Sequence, residues 1–244
     1  MKAIVLAAGR GERMRPLTDH TPKPLLEVHG TPLIEWHLRA LARGGVREVV
    51  VNTAWLEEQI VSRLGDGRRF GLQIRYALEG RDHGGALETA GGLKNALPLL
   101  APEGETPFWY VAADVFAPDF DFAREARTPA PGGTWLAHLW MVPNPPQHPT
   151  GDFSVAQGLA TAALPGASYT WSGIGLFRAG FVTELMADLR PGDRARLRPY
   201  LDAAIGQGRL GASVWDGTWT DVGTPQRLEA LNAGNRSAAP NARS

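Results

Sequence analysis

The sequence contains no cysteine, no excess of either charge and no long hydrophobic segment. The absence of cysteine in its 244 residues excludes disulfides and cysteine-ligated metals. Lys and Arg number 25, as do Asp and Glu, so the basic excess typical of proteins that coat nucleic acid or anionic membranes is missing. There is neither an 18-residue apolar run nor a charged leader with a cleavage site. We therefore expect a soluble cytoplasmic protein that binds neither nucleic acid nor membranes.

Three common catalytic motifs are also incomplete. The glycine-rich run at 9–14, GRGERM, lacks the third glycine of the dinucleotide-binding fingerprint, and no Gly-Lys-Ser/Thr of a P-loop follows it. Six histidines give no zinc spacing such as H-E-x-x-H. These gaps disfavour a dehydrogenase, a P-loop enzyme and a zinc enzyme.

The first half of the chain alternates between strand and helix patterns. Hydrophobic residues make up 43% of the sequence, enough for a sizeable core. The patterns predict strands at 3–6, 47–52, 72–78 and 108–114, and helices at 31–45, 54–67 and 86–100. Thr31 and Pro32 suit the cap and first turn of the first helix, whereas Gly91 and Gly92 should break the third. This alternation predicts a parallel sheet with helices on both faces, and ligands beyond the carboxyl ends of its strands.

The second half is less regular. It predicts strands at 132–142 and 168–177, helices at 180–189 and 198–208, and a final strand, turn and helix within 212–234. A polar, proline-rich insertion at 143–158 lies between the first two strands, and residues 235–244 are typical of a disordered tail.

The stretch LAAGRGERMRPLTDHTPKPL, residues 6–25, concentrates positive charge on a glycine-rich loop directly after the first strand. Glycine lets backbone N–H groups approach an anion. Arg13 can add forked hydrogen bonds, and Lys23 a point charge. This combination indicates a polyphosphate ligand, with a solvated basic surface turn as the alternative.

The same stretch resembles the signature of the sugar-phosphate nucleotidyltransferases, L-A-A-G-x-G-x-R-[LM]-x-P-L-T followed by P-K-P. That family joins a nucleoside triphosphate to a sugar 1-phosphate and releases pyrophosphate. The resemblance implies a Rossmann-like, GT-A-like α/β fold, a three-layer sandwich with a mostly parallel central sheet. It also implies one catalytic domain over 1–234, whose nucleotide-binding half ends at about 115 and whose sugar-phosphate-binding half follows over 116–234.

Three further segments extend the resemblance. Residues 79–93 are similar to the family's base-binding segment, residues 113–115 to its G-D-V, whose Asp binds Mg²⁺, and residues 219–228 to its second metal segment. The alternatives remain ordinary ones: Asp114 as a polar strand terminus, Asp221 as a turn residue and Glu88 as a solvated helix charge.

One branch of the family fits best. MVPNPPQHPTGDFSV, residues 141–155, is similar to a segment of the N-acetylmuramate α-1-phosphate uridylyltransferases of peptidoglycan recycling. This similarity implies Mg²⁺-dependent transfer of UMP from UTP to N-acetylmuramate 1-phosphate, a step in cell-wall recycling. The alternatives are a mannose-1-phosphate guanylyltransferase or another member of the family, and a non-catalytic subunit that binds nucleotide sugars. The oligomeric state, monomer or dimer, stays open.

The resemblance also implies which residues form the site. The catalytic set is Arg13, Lys23, Asp114 and Asp221, the two aspartates being the Mg²⁺ ligands. The nucleotide-binding set is Leu6, Ala7, Ala8, Gly9, Gly11, Glu12, Arg13, Lys23, Glu79, Glu88 and Gly91. The sugar-binding set is Asn144, Gly151, Asp152, Ser172 and Gly173.

The sequence departs from the branch pattern at three places. Ala112 and Ala113 stand where the pattern has Asn-Gly, residues 81–85 form a short insertion, and Gln147 replaces the first of two paired histidines. These departures leave the predicted metal chemistry intact and make the choice of sugar and base less certain.

Overall fold

The computed structural model describes residues 1–101, 106–129 and 133–234, so the predicted tail at 235–244 lies outside the described residues. The strands, in chain order, are β1 Lys2–Leu6, β2 Glu27–Val28, β3 Thr31–Pro32, β4 Glu48–Thr53, β5 Gln73–Leu78, β6 Phe108–Ala112, β7 Val115–Phe116, β8 Ala137–Val142, β9 Phe153–Ala156, β10 Leu159–Ala162, β11 Ser168–Phe177, β12 Leu210–Val214 and β13 Thr220–Asp221. The α-helices are α1 Leu33–Arg43, α2 Glu57–Leu64, α3 Glu79–His83, α4 Glu88–Leu100, α5 Phe122–Glu125, α6 Ala179–Leu185, α7 Arg198–Gly206 and α8 Pro225–Gly234.

A nine-stranded sheet runs through both halves of the chain, in the order β5-β4-β1-β6-β11-β8-β12-β10-β9. The four strands of the first half are parallel, as the alternating pattern predicts. Beyond β6 the direction is mixed, because β11 is antiparallel to both β6 and β8, whereas β12 is parallel to β8. The fold is thus the expected α/β nucleotidyltransferase type, with its parallel part in the half predicted to bind nucleotide.

The core lies on both faces of this sheet. Ile4 and Tyr110 pack on one face with residues of α4, α6 and α7, whereas Val5 and Trp109 pack on the other with residues of α1 and α2. Neighbouring strand residues therefore serve opposite layers, as the two-residue period of a strand requires. Among the described residues, no helix is long and apolar enough to cross a lipid bilayer.

The predicted boundaries of α1 and α4 need correction. Thr31 and Pro32 form β3, and α1 begins at Leu33, so Pro32 and not Thr31 stands at the N-cap position. The helix α4 continues through Gly91 and Gly92 and is not broken there. Glycine occupies these two positions because neighbouring residues pack too closely to leave room for a side chain. A Cβ on Gly91 would overlap the carbonyl of Asp193, and one on Gly92 would lie 2.6 Å from Glu79.

The proline-rich insertion also contains more regular structure than predicted. Its second part forms β9, which pairs with β10 in an antiparallel hairpin and also with the start of β11. Only residues 143–152 remain a loop, which we call the proline-rich loop. This loop is therefore fixed to the sheet on both sides.

Candidate active site

A cleft of about 610 Å³ opens at the carboxyl ends of β1 and β6, where a parallel sheet is expected to bind its ligand. Most of the predicted nucleotide-binding residues line it together with Asp114. They are Leu6, Ala7, Ala8, Gly9, Gly11, Glu12, Arg13, Lys23 and Glu88. The opening loop thus forms one wall of this cleft.

The opening loop needs glycine for a defined reason. Gly11 has φ 68°, in the left-handed region, and a Cβ there would lie 3.0 Å from the Thr18 side chain and 3.2 Å from Cβ of Lys23. The backbone N–H of Ala7 is anchored by the Asn52 side chain at 2.9 Å. The loop is therefore held close to the strand ends, with bare backbone facing the cleft.

The three arginines of this loop have different surroundings. Arg10 donates to the carbonyl of Thr18 at 2.7 Å and to Asp19 at 2.8 Å, and its guanidinium lies 3.8 Å from the centre of the Trp55 ring. Arg15 also pairs with Asp19, at 2.9 Å. Arg13 lines the cleft and has neither a hydrogen-bond nor an ion-pair partner among the described residues. Arg13 is thus the loop arginine available to an anionic ligand.

Lys23 and Asp114 form an ion pair across the cleft floor. Lys23 is 8% exposed, and its Nζ lies 2.8 Å from Oδ2 of Asp114. Burial alone would raise the pKa of Asp114, but the Lys23 ammonium, aided by the charge of Arg13, holds that pKa below its usual value. The carboxylate is therefore ionised at neutral pH and competent to bind a cation.

The turn that carries Asp114 rests on a buried histidine. The strand β6 ends at Ala112, so Asp114 lies in the turn before β7 and not in the strand as predicted. His37 lies beneath this turn, and its Nε2 is 2.7 Å from the carbonyl of Val115. Burial lowers the pKa of His37 to about 4. The neutral ring can then donate Nε2–H to that carbonyl and hold the turn in place.

Asp221 reaches the same place from the other end of the chain. In the pairing of β13 with β7, Asp221 is opposite Val115, and the N–H of Val222 donates to the carbonyl of Asp114 at 2.9 Å. A Cβ on Gly223 would lie 2.9 Å from Oδ2 of Asp221 and 3.5 Å from Nη2 of Arg13. Asp221 itself does not line the cleft, but it adjoins Asp114 and Gly223, which line the cleft together with Arg13.

Both aspartates fit a metal that is shared with substrate oxygens. The described residues contain no group of three or more His, Cys, Asp or Glu side chains that could hold a metal alone. Two carboxylates with phosphate oxygens and water suit Mg²⁺, which is rarely enclosed by protein ligands alone. Each carboxylate has a basic partner, Lys23 for Asp114 and Arg227 for Asp221.

Two of the predicted base contacts are structural residues. Glu79 has no exposed surface and accepts hydrogen bonds from Asn52 at 2.7 Å and from the N–H of Leu87 at 2.8 Å. Burial raises the pKa of Glu79, although these two hydrogen bonds oppose the rise. Gly91 is buried where α4 meets Asp193. Glu79 therefore connects the opening loop, through Asn52, to the segment predicted to bind the base. Glu79 and Gly91 do not line the cleft.

The structure adds a cleft residue that the sequence did not single out. The segment before α7 docks on α4, because the carbonyl of Ala195 accepts from the N–H groups of Ala90 and Gly91. This docking brings Arg194, which is exposed and has neither a hydrogen-bond nor an ion-pair partner among the described residues, to the cleft wall that also contains Glu88. Nothing in the local pattern distinguishes Arg194 from the other arginines of residues 190–198.

Glu88 occupies the cleft wall in a strained conformation. Its φ is 61°, a left-handed value that is uncommon for residues other than glycine, and it precedes the rest of α4 with an exposed side chain. Backbone strain of this kind is concentrated at binding and catalytic sites. Its position supports the prediction that Glu88 contacts a ligand.

The predicted sugar-binding residues in the proline-rich loop are occupied with the loop itself. Asn144 donates to the carbonyls of Pro149 and Ser168, both at 3.1 Å. Asp152 accepts from the N–H of Trp171 at 2.8 Å and contacts His148 at 3.1 Å. Gly151 has φ 61°, and a Cβ there would collide with Asn144. These three residues build the loop and do not line the main cleft.

Ser172 and Gly173 lie behind the site. Ser172 has no exposed surface, and its carbonyl accepts from the indole of Trp219 at 2.9 Å. Gly173 has φ 78°, in an irregular stretch of β11, and a Cβ there would lie 2.9 Å from Ala112. Both residues pack close to the turn that carries Asp114, and Ser172, which is fully buried, does not line the cleft.

Comparison with known proteins identifies relatives along almost the whole chain. A family model described as nucleotidyl transferase matches residues 2–136. An N-acetylmuramate alpha-1-phosphate uridylyltransferase from Neisseria meningitidis serogroup B is 45% identical over 236 residues, covering 96% of this chain and 97% of that protein. A protein of the same name from Caulobacter vibrioides is 32% identical over 239 residues, 95% of each chain.

The fold is also found among solved structures. A Bacillus anthracis crystal structure assigned as a glucose-1-phosphate thymidylyltransferase has a TM-score of 0.82, covers 98% of this chain and 96% of its own, and is 22% identical. At that identity the likeness concerns the fold alone, and it confirms the predicted architecture.

Proposed function

The chain belongs to the nucleotidyl transferase family, and we propose that it transfers UMP from UTP to N-acetylmuramate 1-phosphate, releasing pyrophosphate. The observation that carries the chemistry is a cleft lined by glycine-rich backbone with Arg13, Lys23 and Asp114, beside which Asp221 is placed by its strand pairing. The near full-length similarity to two uridylyltransferases supports this choice of nucleotide and sugar.

The reaction brings two anions together, so charge neutralisation is the main requirement. An oxygen of the sugar phosphate forms a bond to the α-phosphorus of UTP, and the bond from that phosphorus to the bridging oxygen of pyrophosphate breaks. The sugar phosphate is already ionised at neutral pH, so the enzyme needs no nucleophilic side chain. Positioning and electrostatic stabilisation supply most of the catalysis in such transfers.

The basic residues divide this work. Arg13, which has no partner in the described part of the chain, binds the triphosphate, and Lys23, close to Asp114, neutralises the α-phosphate as the second phosphate approaches. Arg194 adds a third positively charged side chain to the lining of the cleft. The carboxylates of Asp114 and Asp221 hold Mg²⁺, which supplies charge neutralisation and fixes phosphate oxygens in position when bound.

Substrate choice is assigned to two parts of the site. The carboxylate of Glu88 can accept the N3–H of uracil, and it repels the acceptor nitrogen that cytosine has at the same position. The proline-rich loop provides a preformed wall for the sugar, because its internal hydrogen bonds and prolines reduce the entropy lost on binding.

A matrix of pyrophosphate-release assays tests the proposal. Four nucleoside triphosphates are combined with the 1-phosphates of N-acetylmuramate, N-acetylglucosamine, glucose and mannose. We expect the highest kcat/KM for UTP with N-acetylmuramate 1-phosphate, and a Lys23→Ala control that loses turnover with every pair. Faster turnover of GTP with mannose 1-phosphate would replace this assignment with a guanylyltransferase.

A further inference from the structure

The proline-rich loop is fastened to β11 at its base. At its tip it contacts Asp221, one of the two proposed metal ligands. Asn144 and Asp152 fasten the base to β11 through Ser168 and Trp171. At the tip, Nε2 of Gln147 donates to Oδ1 of Asp221 at 2.8 Å, joining residues 74 positions apart. Gln147 is otherwise exposed, so packing does not explain its orientation.

This bond leaves the Asp221 carboxylate held from two sides. Gln147 occupies one lone pair of Oδ1, and the guanidinium of Arg227, from α8, pairs with Oδ2. A carboxylate oxygen has a second lone pair, so an amide hydrogen bond fixes the plane of the group without preventing it from binding a cation. Hydrogen bonds of this kind to metal-binding carboxylates typically change metal affinity or activity by about 10–100-fold.

We propose that Gln147 is a positioning residue, whose amide orients the Asp221 carboxylate for a divalent metal and couples it to the proline-rich loop. The inference rests on the metal role of Asp221 in the proposed function. It requires a hydrogen-bond donor at position 147 and not an amide as such, so a histidine there can serve in the same way.

The coupling between the loop and Asp221 acts in both directions. Because the base of the loop is fixed to β11, the bond from Gln147 transmits the position of the loop to Asp221, and the reverse. A sugar phosphate that favours the loop position in which Gln147 bonds Asp221 therefore increases the affinity for the metal. By thermodynamic reciprocity, the metal increases the affinity for the sugar phosphate.

Metal binding to the full chain with UTP bound and no sugar phosphate present is the primary test, because the site is proposed to share its metal with substrate oxygens. Isothermal titration with Mn²⁺, which like Mg²⁺ prefers oxygen ligands, is run at pH 8, where histidine is neutral. We expect Gln147→Ala to raise the Kd for Mn²⁺ about tenfold. Gln147→His should restore most of the affinity. Gln207→Ala should match wild type, because it removes another exposed glutamine whose side chain makes no hydrogen bond within the described residues.

Steady-state kinetics provide a second readout. Gln147→Ala should raise the KM for the sugar 1-phosphate more than the KM for UTP, since the loop tip loses its attachment to Asp221. A Gln147→Ala variant with wild-type Mn²⁺ affinity would overturn the inference, as would a Gln147→His variant as weak as Gln147→Ala. Wild-type protein with UTP bound that took up no more Mn²⁺ than UTP alone does would instead refute the metal site itself, and the inference with it.

Discussion

Separate replacement of the three arginines in the opening loop tests which of them serves a ligand. Arg13 has no protein partner in the described structure, whereas Arg10 holds Thr18, Asp19 and the Trp55 ring. Arg13→Ala therefore removes no folded-state bond, and Arg10→Ala removes several. The two variants delete the same charge within three residues of each other, so each is a matched control for the other.

The expected magnitudes follow from these contacts. Loss of one strong electrostatic donor to a reacting phosphate costs about 3–4 kcal/mol, so Arg13→Ala should lower kcat/KM by about 10²–10³-fold. Its free energy of unfolding should change by less than about 0.5 kcal/mol, as for a surface substitution. Arg10→Ala should lower that free energy by about 2 kcal/mol, from two hydrogen bonds to a charged side chain that is 25% exposed and one cation–π contact.

Two measurements separate the roles. Steady-state titration with nucleoside triphosphate gives kcat/KM, and thermal unfolding gives the midpoint, where about 2 kcal/mol corresponds to roughly 4–8 °C for a chain of this size. We expect a large kinetic loss with an unchanged midpoint for Arg13→Ala, and a lower midpoint for Arg10→Ala. A wild-type kcat/KM in Arg13→Ala would refute the reasoning and leave a solvated basic turn as the better interpretation.

Three further predictions concern the carboxylates and the buried histidines. Asp114→Asn should remove most turnover at any Mg²⁺ concentration, because an amide binds the ion far less well, and wild-type rates in a Mg²⁺ titration would contradict this. Glu88→Gly should relieve the left-handed strain and raise the free energy of unfolding by about 1 kcal/mol while weakening UTP binding; denaturant unfolding and the KM for UTP would show whether the two effects oppose each other. Burial lowers the pKa of both His37 and His138 from 6.5 to about 4, so the unfolded chain takes up protons first as the pH falls. Each histidine should therefore cost about 3 kcal/mol of stability between pH 6.5 and 4, measured by urea unfolding, and a stability that did not fall over this range would contradict the assignment.

The sequence predicted the parts of the site that come from one continuous segment. Leu6 to Lys23 follow a buried strand, and the strand end, the glycines and the basic residues are set by local chemistry. The helix and strand periods were equally local, so the first four large strands are where the patterns placed them.

Residue roles were harder to predict, because a polar side chain in a motif can serve a ligand or the backbone around it. Glu79 and Asn144 lie in segments that resemble binding segments, yet both spend their hydrogen-bonding groups on the protein. The position of Arg194 depends on the docking of Ala195 on Ala90, more than 100 residues earlier. No local pattern carries that information.

The two proposed metal ligands are brought together by very short strands. Asp114 and Asp221 lie 107 positions apart in the sequence and meet through two-residue strands, β7 and β13. Side chains alternate along a strand, so a slip of one residue in this pairing would turn Asp221 away from the cleft. The N–H of Val222 on Asp114 and the Trp219 indole on Ser172 fix the register, and Gln147 and Arg227 then fix the carboxylate.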